Sequence, residues 1–221
     1  MTADYRERFA KCGKDVEIAD DVYIEHPEVM EVGDRVVFMK GVYIMGRPGR
    51  FVIGDDVTFY PYVFYQGSPG HVTIGSDVQF LPHCYLSAGD WESCFIEVGS
   101  HTHFAPRCVL YGWGGLRVGD YCAVAAGSML STVSQYTDKT EQPMVTYGEN
   151  ADPITLEDDV YLGANVVINQ GVTVRRGCVV GANSVVLKDT DEYGFYVGAP
   201  AKLKRWRKQM PLESSVVVNL R

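Results

Sequence analysis

Aliphatic residues recur at every sixth position over the last third of the chain: Leu156, Leu162, Ile168, Val174, Val180 and Val186. Four residues after each of the first five lies a small or β-branched residue, Val160, Val166, Val172, Cys178 or Ser184. A helix needs apolar residues about every 3.6 positions and an alternating strand about every 2, so a strict six fits neither as one long element. It fits a coil with flat sides of about six residues, each turning two side chains inward. Three sides close a turn of about 18 residues. Successive turns then stack in parallel about 4.8 Å apart, with backbone groups pairing up and down the stack. The pattern predicts an all-β solenoid.

Earlier turns announce themselves by a hydrophobic residue followed by glycine: Val32-Gly33, Ile53-Gly54, Ile74-Gly75, Val98-Gly99 and Val118-Gly119. These starts are 21, 21, 24 and 20 residues apart, a turn of about 18 with a few extra residues at a corner. The carboxylate pairs Asp55-Asp56 and Asp158-Asp159 recur just after such starts. They read as turn chemistry, because Asp tolerates corner geometry. Residues 131–153 lose the six-residue period, are polar and contain Pro143, so they predict a loop projecting from the coil. A shorter insert is expected at 88–95. The solenoid is expected over 16–190. Residues 1–15 are read as an N-terminal cap, and 191–221 as a C-terminal cap with a short basic helix over Lys202–Met210 and a tail at Val216-Val217-Val218.

The length of 221 residues suits one domain with a substantial core. Cys84, Cys108, Cys122 and Cys178 fall at the small inward position of the repeat, which reads as core packing in a reducing compartment. No Cys or His spacing suggests a metal. A net charge of −8 argues against nucleic acid. With no long apolar run and no leader pattern at Met1-Thr2-Ala3-Asp4, the expectation is a cytoplasmic protein without membrane insertion. Outward apolar positions at Phe64, Tyr65 and Tyr85 would be costly to expose and predict self-association.

The segment PITLEDDVYLGANVVINQGVTVRRGCVVGANSVVLKD, followed by YVGAPAK, resembles the hexapeptide-repeat acyltransferases. Val186-Leu187-Lys188-Asp189 and Gly198-Ala199-Pro200-Ala201-Lys202 match the family's ending, with Ala199 in place of the usual Asn. The resemblance covers roughly 16–207. It implies a left-handed parallel β-helix and a homotrimer with active sites in clefts between coils. It also implies transfer from acetyl-CoA, a co-substrate rather than a resident cofactor, to a sugar or nucleotide-sugar in polysaccharide pathways.

The resemblance further implies a coenzyme A track along the last coils. Gly163-Ala164 and Gly181-Ala182 would be small steps admitting the pantetheine, and Lys188, Lys202 and Arg205 would be cations for the phosphates. A base must take the acceptor's proton, and histidine suits neutral pH. His103, outward beside inward Thr102, is the expected base. His101 lies at the corner, His83 could line the same cleft, and His26 and His71 read as solvated. Where the maltose and galactoside acetyltransferase branch keeps its loop histidine, this chain has Gln135, flanked by Ser134; Arg107 stands where that branch binds substrate with Asn. No Ser or Cys has an evident activating base, so transfer is expected to be direct. Two other readings remain open. One is a catalytically silent trimeric scaffold. The other is a γ-carbonic-anhydrase-like enzyme using His83, His101 and His103.

Overall fold

A computed structural model describes residues 5–207. Three sheets, each of short strands one turn apart, form the sides of a triangular coil. On the first face Val32, Ile53, Ile74, Val98, Val118, Leu156 and Val174 lie in parallel register, one per turn. Val118 pairs directly with Leu156, so the intervening chain contains one turn plus the projecting loop. The fold is the expected left-handed β-helix. Its first rung begins at Lys11–Cys12, inside the segment expected to be a cap, after a 3-10 turn at Tyr5–Glu7.

The core is the set of inward positions. On the second face Phe38, Phe59, Phe80 and Phe104 stack ring on ring, with centroids 5.0–5.3 Å apart. Cys84, Cys108, Cys122 and Cys178 are buried at the small inward positions, as their spacing predicts. Tyr65 is a correction. It is 2% exposed and pairs in register with Ile44 and Leu86, so it points into the core. The outward aromatics of that third face are Tyr23, Tyr43, Phe64 and Tyr85, stacked with centroids 4.5–5.9 Å apart.

The corner between the first and second faces explains the carboxylate pairs. One residue per turn sits in the left-handed region there, among them Asp56, Asp77, His101, Tyr121 and Asp159. Each donates its backbone N–H to a carbonyl of the preceding turn. The residue before it is often Asp or Ser, whose side chain accepts a backbone N–H of the preceding turn: Asp55 from Asp34, Ser100 from Ser76, Asp158 from Asp120. Backbone groups that the bend would orphan are thereby satisfied.

The loop leaves the corner between the third and first faces. Val133–Gln135 and Glu149–Ala151 form an antiparallel ribbon at its foot. Thr132 fixes the exit by donating its hydroxyl to the Tyr111 carbonyl and accepting from Gly114 N–H. The C-terminal helix expected over 202–210 is also corrected: Lys202–Trp206 is a strand, antiparallel to Gly194–Val197. Its Lys-Leu-Lys-Arg-Trp composition suits either element, and the open backbone edge of the last rung decides for a strand. Residues 208–210 and the Val216–Val218 tail lie outside the described residues.

Candidate active site

Thr102 is buried and turns His103 outward on the second face, in register with Gln79 and Ala123. His101, two residues earlier, occupies the first corner. Asp77, Gln79, His101, Thr102 and His103 line one recess of about 160 Å³. The imidazole Nδ1 of His101 lies 2.9 Å from Asp77 Oδ2, and its ring stacks on Tyr121 with centroids 4.7 Å apart. A larger recess of about 450 Å³ continues along the same corner between Tyr121 and Tyr193, over Asp120, Asp158, Asp159 and Arg176. There the Arg176 guanidinium, aided by the Asp120 backbone N–H, holds the Asp158 carboxyl below the usual carboxylate range.

His83 and Arg107 lie together at the other edge of the second face. Both are exposed corner residues in the left-handed region, one turn apart, and His83 stacks on Tyr62. Gln135 and Ser134 lie on the loop ribbon, at the corner opposite the second face. The single chain therefore does not bring them to His103. Gln135 Oε1 is buried without a hydrogen-bond partner among the described residues, and Ser134 is exposed. His83 and His101 occupy different corners, so the three histidines weighed for a metal do not converge within one chain. His26 bonds Glu28 at 2.9 Å, and His71 is exposed on a strand rather than at a corner.

The donor residues fall mostly on or beside the second face. Lys202 pairs with Val197, and Arg205 lies over the Phe195 ring with its guanidinium 4.6 Å from the centroid. From His103 the in-register outward positions run Ala123, Tyr161, Val179, Phe195 and then Arg205. That is five rungs, about 24 Å, of mainly apolar surface joining a histidine recess to cations. Lys188 is exposed beyond the third face. Gly163 is buried, and a Cβ there would lie 2.6 Å from the Ala182 nitrogen; one at Gly181 would meet Val197 Cγ1 at 2.7 Å. Stacking of the coil thus requires Gly163 in its own right. Ala164 is half-buried and Ala182 exposed beside these glycines.

Burial raises the thiols of Cys94, Cys122 and Cys178, Cys122 to about 11, and all three are buried. They are poorly placed as nucleophiles.

Residues 153–188 match the family described as the hexapeptide repeat of succinyl-transferase. The chain has the left-handed β-helix fold, and its residues 153–188 carry the hexapeptide repeat. A point variant of AntD, an N-acyltransferase from Bacillus cereus solved with dTDP-4-amino-4,6-dideoxyglucose and coenzyme A, superposes with a TM-score of 0.57. The superposition covers 91% of this chain and 86% of that one at 20% identity. The polySia-specific acetyltransferase NeuO superposes with a TM-score of 0.51, over 94% and 93% of the two chains at 17% identity. At these identities the likeness is one of fold. In sequence, a 2,3,4,5-tetrahydropyridine-2,6-dicarboxylate N-acetyltransferase of Staphylococcus aureus is 37% identical over 73 residues, 33% of this chain and 30% of that protein. The chain spans about a third of the length of the curated relatives it matches.

The histidine–carboxylate contact was missed in sequence. Asp77 and His101 are 24 residues apart, so an 18-residue repeat does not align them. Only the insert at 88–95 brings them one turn apart.

Proposed function

We propose that this hexapeptide-repeat protein is an acyl-CoA-dependent acyltransferase, with acetyl the simplest acyl group. The acceptor is a hydroxyl or amine of a sugar or nucleotide-sugar in polysaccharide assembly, and the setting is the cytoplasm. The observation that carries this reading is the second face, with histidines at one end, cations at the other and an apolar track between. The AntD variant of the same fold, solved with coenzyme A and an amino-sugar nucleotide, supports the substrate classes.

In this reading the thioester lies along the track, with its phosphates near Lys188, Lys202 and Arg205 and its pantetheine passing the Gly163-Ala164 and Gly181-Ala182 steps. The acyl carbonyl reaches the histidine recess, where His103, the residue favoured by the sequence, and His101 are the two candidates for the base. His83 and Arg107 bound the acceptor side. The acceptor attacks the carbonyl directly, and the free thiol of coenzyme A leaves.

A homotrimer completes the arrangement. Ser134 and Gln135 stand opposite the second face in their own chain, so only a neighbouring chain can present them to that face. The aromatic third face, with Tyr23 and Tyr43 each 38% exposed, supplies apolar surface for the contact. Light scattering is expected to give three times the single-chain mass, and a stable monomer would remove the shared cleft.

Calorimetric titration with coenzyme A tests the donor side. The unaltered protein should bind, and replacing Lys188 and Arg205 together by alanine should weaken binding by about 1–2 kcal/mol, since exposed charge contacts are screened. Binding that the double variant leaves unchanged would place the donor elsewhere. No binding by the unaltered protein would favour the silent scaffold, the reading to which Gln135 at the loop position lends weight.

A further inference from the structure

We infer that His101, oriented by Asp77, is the proton acceptor of the recess. The inference rests on the acyltransferase reading and assigns its base. A neutral imidazole accepts a proton only at the nitrogen that carries no hydrogen, so a useful base needs its tautomer fixed. The Asp77 carboxylate can only accept a hydrogen bond, so at 2.9 Å it draws the hydrogen onto Nδ1 and leaves the lone pair on Nε2. The ring plane is fixed too. Tyr121, from the next turn, stacks on it at 17°. The backbone beneath is tied at both steps: His101 N–H donates to the Ser76 carbonyl at 2.9 Å, and Tyr121 N–H to the Ser100 carbonyl at 3.0 Å. His103 shares only the backbone tie, its N–H donating to the Cys122 carbonyl at 3.0 Å. Its ring makes no hydrogen bond and no ring contact among the described residues, although it lines the same recess.

The step balances with the groups named. The acceptor's oxygen or nitrogen forms a bond to the thioester carbonyl carbon, and its proton passes to His101 Nε2. The tetrahedral intermediate collapses, the carbon–sulfur bond breaks, and the departing sulfur takes that proton as a thiol. His101 returns to its neutral form with Nδ1–H still on Asp77. Asp77 is a positioning residue that touches neither substrate, and Gln79 and His103 border the space where the reacting atoms meet.

The corner makes the substitutions clean. Positions 77 and 101 are both left-handed, with φ of 55° and 58°, a conformation that asparagine adopts readily. His101→Asn and Asp77→Asn should therefore keep the coil. In Asp77→Asn the carboxamide NH₂ can face Nδ1, which moves the hydrogen to Nε2 and removes the acceptor site while retaining the ring.

Two measurements on the full chain decide the matter. Nitrogen-15 NMR of the histidine rings should show His101 as the Nδ1–H tautomer in the unaltered protein and as Nε2–H in Asp77→Asn. Thiol release from acetyl-CoA is then followed with the best acceptor among nucleotide-linked amino sugars and simple glycosides. His101→Asn should lower kcat by about 10²–10⁴-fold with little change in the KM for acetyl-CoA. Asp77→Asn should also lower kcat, and Asp77→Glu should restore part of it. An Nε2–H tautomer in the unaltered protein would overturn the proposal. So would a kcat in His101→Asn within threefold of the unaltered protein, or a kcat in Asp77→Asn that does not fall. Should His103→Asn lose activity while His101→Asn keeps it, the base is His103. If the unaltered protein releases no thiol with any acceptor, the acyltransferase reading fails, whatever the tautomer.

Discussion

Replacing Phe80 by alanine is expected to destabilise the coil by about 3–5 kcal/mol, the range for removing a fully buried phenyl ring. Phe80 has no exposed surface and stands between Phe59 and Phe104 in the column of rings. A solenoid turn contacts only its neighbours, so the hole cannot close by a distant rearrangement. The rungs above and below are pinned by their backbone ladder at Phe59 and Phe104. For a chain of this size the cost corresponds to a fall in melting temperature of roughly 10 °C. Thermal unfolding followed by circular dichroism would read it. A shift of only one or two degrees would mean that the ring column contributes little.

Shortening the projecting loop is expected to have the opposite profile, with the fold kept and the activity lost. Gln135 and Glu149 face each other across the ribbon, so two glycines can replace residues 136–148 as a hairpin turn. The loop's own contacts are local. Tyr147 bonds Glu141, and Lys139 lies over the Tyr136 and Tyr147 rings. Loop-closure entropy changes slowly with length, so stability should move by no more than about 1 kcal/mol. Transfer should fall at least about 10²-fold, the cost of a misplaced acceptor, while coenzyme A binding stays. An unchanged transfer rate would mean that the loop has no part in the site.

Much of this architecture was legible in the sequence because inward positions of a coil recur with a fixed period. The aliphatic hexads from Leu156 to Val186, the inward cysteines and the loop at 131–153 follow from that period alone. The corner carboxylates were legible for a different reason: Asp before Asp suits a bend whose backbone groups need acceptors. Tyr65 was not, since two adjacent aromatics, Phe64 and Tyr65, give hydrophobicity no means of telling which one faces in. The strand at Lys202–Trp206 was hidden because its pairing depends on an open edge that exists only once the last rung is in place. The candidate site was least legible. His103 could be placed outward from its neighbour Thr102. The carboxylate beside His101 comes from another turn, through a rung lengthened by an insert, and no local pattern records it.

Acyl transfer from coenzyme A is the central claim, and thiol release tests it most directly. Purified protein is incubated with acetyl-CoA and a panel of nucleotide-linked amino sugars and simple glycosides, with free thiol and acylated product measured together. The expected result is thiol release that depends on one class of acceptor and matches acylated product mole for mole. Thiol release no faster than without protein, across the whole panel and with coenzyme A unbound, would contradict the account and leave a β-helix that serves as a scaffold.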